Sequence, residues 1–142
     1  MPEQFTEFLQ NHPLLTATWV GLVLALAWTF KASGRAGERL TPAQATRLIN
    51  DEDAVVLDVR TSSEFESGHI LNAEHVALAD LQAQVGKLEK YKARPVIMSC
   101  RAGQQSVSAA NILKKAGFEK VYNLAGGIMA WQEASLPLSK KK

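Results

Sequence analysis

The chain contains a single cysteine, Cys100, and the residues on both sides of it suit thiol chemistry. A short apolar run at 96–99 leads into the cysteine, and a loop of small and polar residues follows it. Because the thiolate is the nucleophilic form of cysteine, a reactive thiol needs surroundings that stabilise negative charge. The sequence therefore predicts a buried strand at 96–99 that presents Cys100, a candidate catalytic nucleophile, at the start of a loop.

The loop after Cys100 offers three sources of positive potential. Its backbone N–H groups can form an anion-binding nest, and a helix that begins near Ser106 directs the positive end of its dipole towards the loop. Arg101 adds a positive charge, and Gly103 permits a close approach of the backbone. A buried, inert structural cysteine is the alternative. The polar residues after Cys100 bury poorly, which favours a reactive thiol.

A second buried strand is predicted at 54–59, where the sequence reads Ala-Val-Val-Leu-Asp-Val. Asp58 and Arg60 stand at its carboxyl end, where they could support the site from a neighbouring strand. A structural ion pair is the favoured interpretation of these two residues, because such pairs also occur away from catalytic centres. His69 follows in a loop at 61–73 and is interpreted as a structural histidine rather than a catalytic base.

The other elements are predicted from apolar periodicity and from residues typical of helix ends. Thr41 and Pro42 form a helix start, and Gly117 with Phe118 forms a Schellman-type helix end. Alternation of strands and helices indicates an α/β fold with a central parallel sheet flanked by helices, whose functional site lies at the carboxyl ends of the strands. The predicted elements are helices from 42, at 78–91, near 106–115 and at 128–133, with a strand at 120–124.

The N-terminal part of the chain has a different character. Residues 1–13 are mostly polar and are predicted to be a short external segment, whereas the seventeen residues 14–30 carry no charge. That length is at the short end of the range for a membrane-spanning helix, and we predict a transmembrane helix at 14–30. The alternatives are a buried core helix and a cleaved signal peptide, although a basic region and a small-residue cleavage site are missing.

Basic residues set the predicted orientation of this segment. Lys31, Arg35 and Arg39 follow it and no basic residue precedes it, so the positive-inside rule places the N-terminus outside and the remaining chain in the cytoplasm. A single free cysteine agrees with a reducing compartment. We interpret 31–39 as a linker, 40–138 as the globular domain and 139–142 as a basic tail.

Composition excludes several classes of function. A formal net charge of +2 without a basic stripe gives no support for nucleic-acid binding. Cys100 and the three histidines show no metal-ligand spacing, so no metal is predicted, and no cofactor is expected.

Four segments of the sequence together resemble the rhodanese-like domain family of sulfurtransferases. The loop from Cys100 to Ser106 resembles the family's active-site loop. The other three segments are Asp58-Val59-Arg60, the stretch from Glu64 to Ile70, and the stretch from Leu124 to Trp131. They occur in the family's order between about 40 and 138. A membrane helix before one such domain further resembles membrane-anchored members from bacteria.

This resemblance implies a persulfide mechanism. Cys100 would take sulfur from a small donor, hold it as a persulfide among the loop N–H groups, and pass it to a thiol or cyanide acceptor. It implies a location at the bacterial inner membrane, with the domain in the cytoplasm. Membrane proteins are then expected as possible partners. A catalytically weak docking module for protein partners at the membrane is the alternative function. The implied persulfide-binding residues are Arg101, Ala102, Gly103, Gln104, Gln105 and Ser106.

Two loop positions limit the chemistry that the resemblance implies. Gln105 stands where many family members carry arginine, which weakens the expected binding of a dianionic donor such as thiosulfate. A phosphatase of the Cys-x5-Arg type needs arginine at the position of Ser106, and no such cation is present to stabilise a phosphoryl group. Sulfur transfer is therefore favoured over phosphoryl chemistry.

Overall fold

An apolar helix and an α/β domain lie in separate units of the chain. The structure is a computed structural model that describes residues 2–33 and 37–140. The chain divides into the units Met1–Gly34 and Arg35–Lys142. The predicted tail residues Lys141 and Lys142, and the linker residues 34–36, lie outside the described residues.

The first unit consists of two helices, α1 (Pro2–Asn11) and α2 (Pro13–Ser33). The segment 14–30 is thus helical, and large apolar side chains such as Leu14, Trp19 and Trp28 are 83%, 64% and 75% exposed. Within 2–33 and 37–140, no helix combines the length and apolar character needed to cross a membrane. The prediction of a transmembrane helix at 14–30 is therefore not supported.

A parallel sheet forms the centre of the second unit. In the described part of the chain it has five strands in the order β1-β5-β4-β2-β3, and every neighbouring pair is parallel. All residues of β2 and β4 are buried, as expected for β-branched runs covered on both faces. The strands are β1 (Glu38–Leu40), β2 (Val55–Asp58), β3 (Glu74–His75), β4 (Val96–Ser99) and β5 (Val121–Leu124).

Helices cover both faces of this sheet, which confirms the predicted α/β architecture. On one face Leu81 and Leu113 pack with Met98; on the other, Ala45 and Trp131 pack with the strands. Full burial of each large apolar side chain contributes about 1.5–3 kcal/mol. The helices are α3 (Pro42–Glu52), α4 (Ser62–Ser67), α5 (Leu78–Leu88) with a 3-10 turn at Glu89–Tyr91, α6 (Gln105–Lys115) and α7 (Gly127–Glu133).

Helix ends follow the capping residues of the sequence. Thr41 caps α3 in a capping box with Gln44, and Thr61 caps α4 in the same way with Glu64. At the end of α6, the N–H of Phe118 donates to the carbonyl of Leu113, which is the bond that defines a Schellman motif. The predicted start of α3 and end of α6 are therefore confirmed.

Two short strands at the sheet edges were not expected from the sequence. Glu38–Leu40 pairs with β5, although residues 31–39 were interpreted as a linker, and α2 extends to Ser33. Glu74–His75 pairs with β2. Both strands are at most three residues long, and their one buried side chain is that of Leu40, so backbone pairing contributes most of what holds them in place.

Candidate active site

Cys100 lies directly after β4, at the carboxyl edge of the sheet where the sequence placed it. The residue is only 1% exposed, and its thiol is free. It belongs to the same buried cluster as Met98 and Ala109. The strand fixes the position of the Cys100 backbone, and the start of α6 closes over its side chain.

Two groups of the loop contact the sulfur. The backbone N–H of Gly103 donates to Cys100 Sγ at 3.0 Å, and the Ser106 hydroxyl oxygen lies 3.5 Å from the same sulfur. Ser106 is fully buried in the first turn of α6. A thiolate at Cys100 would therefore meet one backbone donor and one hydroxyl, both of which stabilise negative charge.

The remaining loop residues surround this contact with polar groups. The side chains of Arg101, Ala102, Gln104 and Gln105 are exposed, whereas that of Ser106 is buried. Among the described residues, Gly103 is the one loop amide that donates to the sulfur. No backbone hydrogen bond engages the N–H groups of the four exposed residues within that part of the chain. These N–H groups remain available to an anion larger than the sulfur of Cys100.

The Gly126-Gly127 pair allows the start of α7 to pack directly against the backbone of the cysteine loop. The N–H groups of Ile128 and Met129 donate to the carbonyl oxygens of Cys100 and Arg101 at 2.9 and 3.2 Å. A Cβ on Gly127 would overlap with the Cys100 carbonyl oxygen, so the approach requires glycine there. The carbonyl oxygens of Cys100 and Arg101 therefore accept hydrogen bonds from α7. The Gly126-Gly127 pair was the available sequence signal, although it was not predicted to belong to the site.

Gly103 makes the matching close approach from the loop. Its φ is +88°, and a Cβ there would lie 2.9 Å from the backbone nitrogen of Gly126. The loop and the start of α7 therefore meet backbone to backbone. A side chain at either position would separate them and displace the donor to Cys100 Sγ.

Asp58 and Arg60 form a buried ion pair at the end of β2. Arg60 Nη2 donates to Asp58 Oδ2 and to the Gly68 carbonyl oxygen, both at 2.7 Å. The side chains are 0% and 6% exposed, and Asp58 is paired in register with Ser99. The two side chains therefore form the expected ion pair, which ties the end of β2 to the segment after α4, and their support of the site stays a prediction.

The Arg101 guanidinium is exposed and lies near Glu64. Arg101 is 77% exposed, and its Nη1 lies 4.0 Å from Glu64 Oε1. No hydrogen bond or ion pair joins it to Cys100 in the residues that the structure describes. Arg101 therefore contributes to the entrance of the site rather than to the contacts of the thiol.

Two further sequence interpretations concern His69 and Trp131. The Nδ1 atom of His69 lies 2.8 Å from the Phe65 carbonyl oxygen, its ring stacks on that of Phe65, and its backbone pairs with Ser139. The Trp131 side chain is 6% exposed and donates to the Pro137 carbonyl. Both residues have structural roles, as predicted. Within 2–33 and 37–140, no group of three or more His, Cys, Asp or Glu residues could hold a metal.

Comparisons with known proteins agree with this geometry. The Rhodanese-like domain family matches residues 41–134. YibN of Escherichia coli (strain K12), described as an uncharacterized protein, is 39% identical over 142 residues, with 99% of each protein covered. GlpE of Coxiella burnetii (strain RSA 331 / Henzerling II), named a thiosulfate sulfurtransferase, is 37% identical over 95 residues, which cover 67% of this chain and 87% of GlpE.

The fold comparison leads to the same family. The crystal structure of a rhodanese-related protein from Thermoplasma volcanium matches with a TM-score of 0.67 and 25% identity, covering 73% of this chain and 99% of that one. A cysteine loop at the end of a central parallel strand, the matched residues and these relatives establish that the chain belongs to the rhodanese-like domain family.

Proposed function

We propose that this protein is a sulfurtransferase that carries sulfane sulfur as a persulfide on Cys100. The observation that carries the proposal is the donation from the Gly103 N–H to Cys100 Sγ at 3.0 Å, inside a loop whose exposed residues have backbone N–H groups that make no backbone hydrogen bond among the described residues. A thiolate that is positioned and supported in this way is a competent nucleophile. The relationship to GlpE, a thiosulfate sulfurtransferase, adds support.

The proposed reaction has two steps on one sulfur atom. The Cys100 thiolate attacks the outer sulfur of the donor, forms an S–S bond, and releases the remainder of the donor as an anion. An acceptor thiolate or cyanide then attacks the outer sulfur of the persulfide and regenerates the Cys100 thiolate. Ser106 and the loop amides stabilise the negative charge at each stage.

Intact-mass measurement of the full chain tests this proposal. After incubation with a sulfur donor and removal of excess reagent, the protein should gain the mass of one sulfur atom and lose it on addition of cyanide. Cys100→Ser should gain nothing. Absence of a persulfide with thiosulfate and with every small persulfide tried would contradict the proposal.

A docking module at a membrane is the second candidate function, and the exposed apolar surface of α2 favours it. Side chains such as Leu14, Trp19 and Trp28 are largely exposed, and contiguous apolar surface of this kind commonly marks an interaction site. Docking alone predicts that Cys100→Ser keeps the biological role while removal of 14–30 abolishes it. Loss of the role in Cys100→Ser would exclude docking without catalysis.

We propose a location at the bacterial inner membrane, with the domain in the cytoplasm. The support is the exposed apolar surface of α2, together with the basic residues Lys31, Arg35 and Arg39 that follow in the sequence and that anionic lipids of the cytoplasmic leaflet would attract. Fractionation of cells that express the full chain tests this. Recovery of the chain mainly in the soluble fraction would contradict it.

A further inference from the structure

A groove beside the cysteine loop is lined by two residues of opposite charge. Its volume is about 370 Å³, and Arg101 and Glu64 line it together with Met129, Gln132 and Leu138. Arg101 directly follows Cys100 in the chain, so the groove borders the site of the proposed sulfur transfer. A cavity of this size accommodates a small organic molecule rather than an inorganic ion alone.

Glu64 presents a fixed negative charge to this groove. Its Oε2 accepts from the Thr61 backbone N–H at 3.2 Å and from the Thr61 hydroxyl at 2.9 Å. The Thr61 hydroxyl, and next the Thr61 N–H, hold the pKa of the Glu64 carboxyl below its usual value. One carboxylate oxygen is thus used by the capping box, while Oε1 remains directed to Arg101.

Arg101 presents the opposite charge and retains donors for a ligand. Its side chain is 77% exposed, and the 4.0 Å separation from Glu64 is at the limit of an ion pair. Such a long, exposed pair contributes little to stability. The nearby Arg60 is different, because its guanidinium is buried against Asp58 and Gly68. Arg101 is therefore the groove's available cation among the described residues.

We propose that the sulfur donor is an amino-acid-type or peptide persulfide that carries both an ammonium and a carboxylate group. The carboxylate would bind Arg101, the ammonium would bind Glu64, and the outer sulfur would enter the Cys100 loop. Ile128, Met129 and Leu138 supply apolar surface for the aliphatic part of the molecule. This inference rests on the proposed function, because it names the substrate class of the same site.

The chemistry of this donor balances without any other reagent. The Cys100 thiolate attacks the terminal sulfur of R–S–SH, the new S–S bond forms, and the old S–S bond breaks to release R–S⁻. The proton stays on the transferred sulfur, giving Cys100–S–SH, which then ionises in the loop. Sulfane sulfur changes carrier, so no external oxidant or reductant is needed.

The same charges make thiosulfate a poor match. A dianion gains from Arg101 but is repelled by Glu64, and Gln105 supplies no second cation. A donor with both an ammonium and a carboxylate group has a favourable electrostatic interaction with each of these two residues. Each exposed ion pair contributes up to about 1 kcal/mol, which corresponds to about 5-fold in rate.

Three persulfides separate the two charge contacts. Cysteine persulfide carries both groups, N-acetylcysteine persulfide lacks the ammonium, and cysteamine persulfide lacks the carboxylate. Persulfidation of the full chain is followed by intact mass, and each rate is divided by the rate of the same donor with 2-mercaptoethanol. Cysteine persulfide is expected to react about 5-fold faster than either of the other two.

Charge-neutral variants assign each preference to one residue. Glu64→Gln keeps the capping box, since Gln44 fills the same role in α3. This variant should react equally fast with cysteine persulfide and with N-acetylcysteine persulfide, which lacks the ammonium. It should also react faster with thiosulfate than the unmodified chain does. Arg101→Gln should abolish only the preference for the carboxylate. Glu89→Gln is the matched control, because it removes an equivalent exposed charge from the Lys92 pair and should leave every ratio unchanged.

The outcomes distinguish this inference from the proposed function. Equal normalised rates for the three donors, unaffected by Glu64→Gln and Arg101→Gln, would overturn the inference while persulfidation itself continued. A faster rate with thiosulfate than with cysteine persulfide would also overturn it. Failure of every donor to modify Cys100 would instead reject the sulfurtransferase proposal.

Discussion

Replacement of Gly127 by alanine tests whether the start of α7 positions the cysteine loop. The new Cβ would overlap with the Cys100 carbonyl oxygen and lie 2.8 Å from that of Arg101, at a residue with φ +58°. The left-handed conformation costs about 1–2 kcal/mol for a residue with a side chain. Relief of the overlap also sacrifices the bonds from Ile128 and Met129, at about 1 kcal/mol each. We expect a loss of about 3–4 kcal/mol in the free energy of unfolding.

Displacement of the Cys100 carbonyl should also affect the chemistry. It moves Sγ away from the Gly103 N–H. A hydrogen bond to a charged group contributes about 1.5–3 kcal/mol, so persulfidation should slow by about 10- to 150-fold. Urea unfolding gives the stability, and intact mass gives the rate under conditions in which circular dichroism shows the variant to be folded.

Gly86→Ala is the matched control for Gly127→Ala. A Cβ at Gly86, within α5, meets nothing within 4 Å, and alanine there should stabilise the helix by about 0.5–1 kcal/mol. The reasoning is refuted if Gly127→Ala unfolds at the same urea concentration as the unmodified chain and persulfidates at the same rate.

Three other substitutions test the buried ion pair, the loop and a helix cap. Arg60→Gln leaves Asp58 buried without its partner and should lower the free energy of unfolding in urea by about 3–5 kcal/mol. Arg94→Gln is the control, because it removes a cation from an exposed pair and should lower the same quantity by less than about 1 kcal/mol. Gln105→Arg should raise kcat/KM for thiosulfate by about 5-fold through a charge-assisted hydrogen bond; an unchanged value would remove the explanation offered for that position. Thr61→Ala should lower the unfolding free energy by about 1 kcal/mol through loss of the α4 cap.

The central strands and the cysteine loop were predictable because local sequence determines them. β2 and β4 are short apolar runs between polar turns, and burial on both faces leaves such runs few alternatives. Glycine and polar residues after Cys100 specify a loop, and periodic apolar residues specify α6. The carboxyl-edge location of Cys100 then follows from the parallel topology.

The edge strands were not predictable in the same way. Glu38–Leu40 and Glu74–His75 have no apolar alternation, and each is held by hydrogen bonds to a strand that is distant in sequence. Such pairing depends on the completed sheet, so it leaves no local signal. The helix at 14–30 was predictable as a helix, whereas its assignment as a membrane span was not supported.

Parts of the site that depend on distant contacts also escaped sequence analysis. Gly127 contacts Cys100 across more than twenty residues of chain, and the glycine pair alone gives no indication of its partner. The pairing of Arg101 with Glu64 likewise depends on where the first turn of the capped helix α4 lies relative to the cysteine loop. The sequence shows the types of these residues, but it does not show the distances between them in the folded chain.

The burial of Cys100 has a consequence for the way in which the proposed persulfide would give up its sulfur. A thiolate that attacked the inner sulfur of a persulfide would release hydrosulfide and leave a mixed disulfide on the cysteine. The Cys100 side chain is 1% exposed, and Gly103 and Ser106 contact Sγ, which would be the inner sulfur of the proposed persulfide. These contacts would hinder an attack on that atom and leave the outer sulfur as the position open to an acceptor. Burial of Cys100 would thus favour transfer of the outer sulfur over its loss as hydrosulfide.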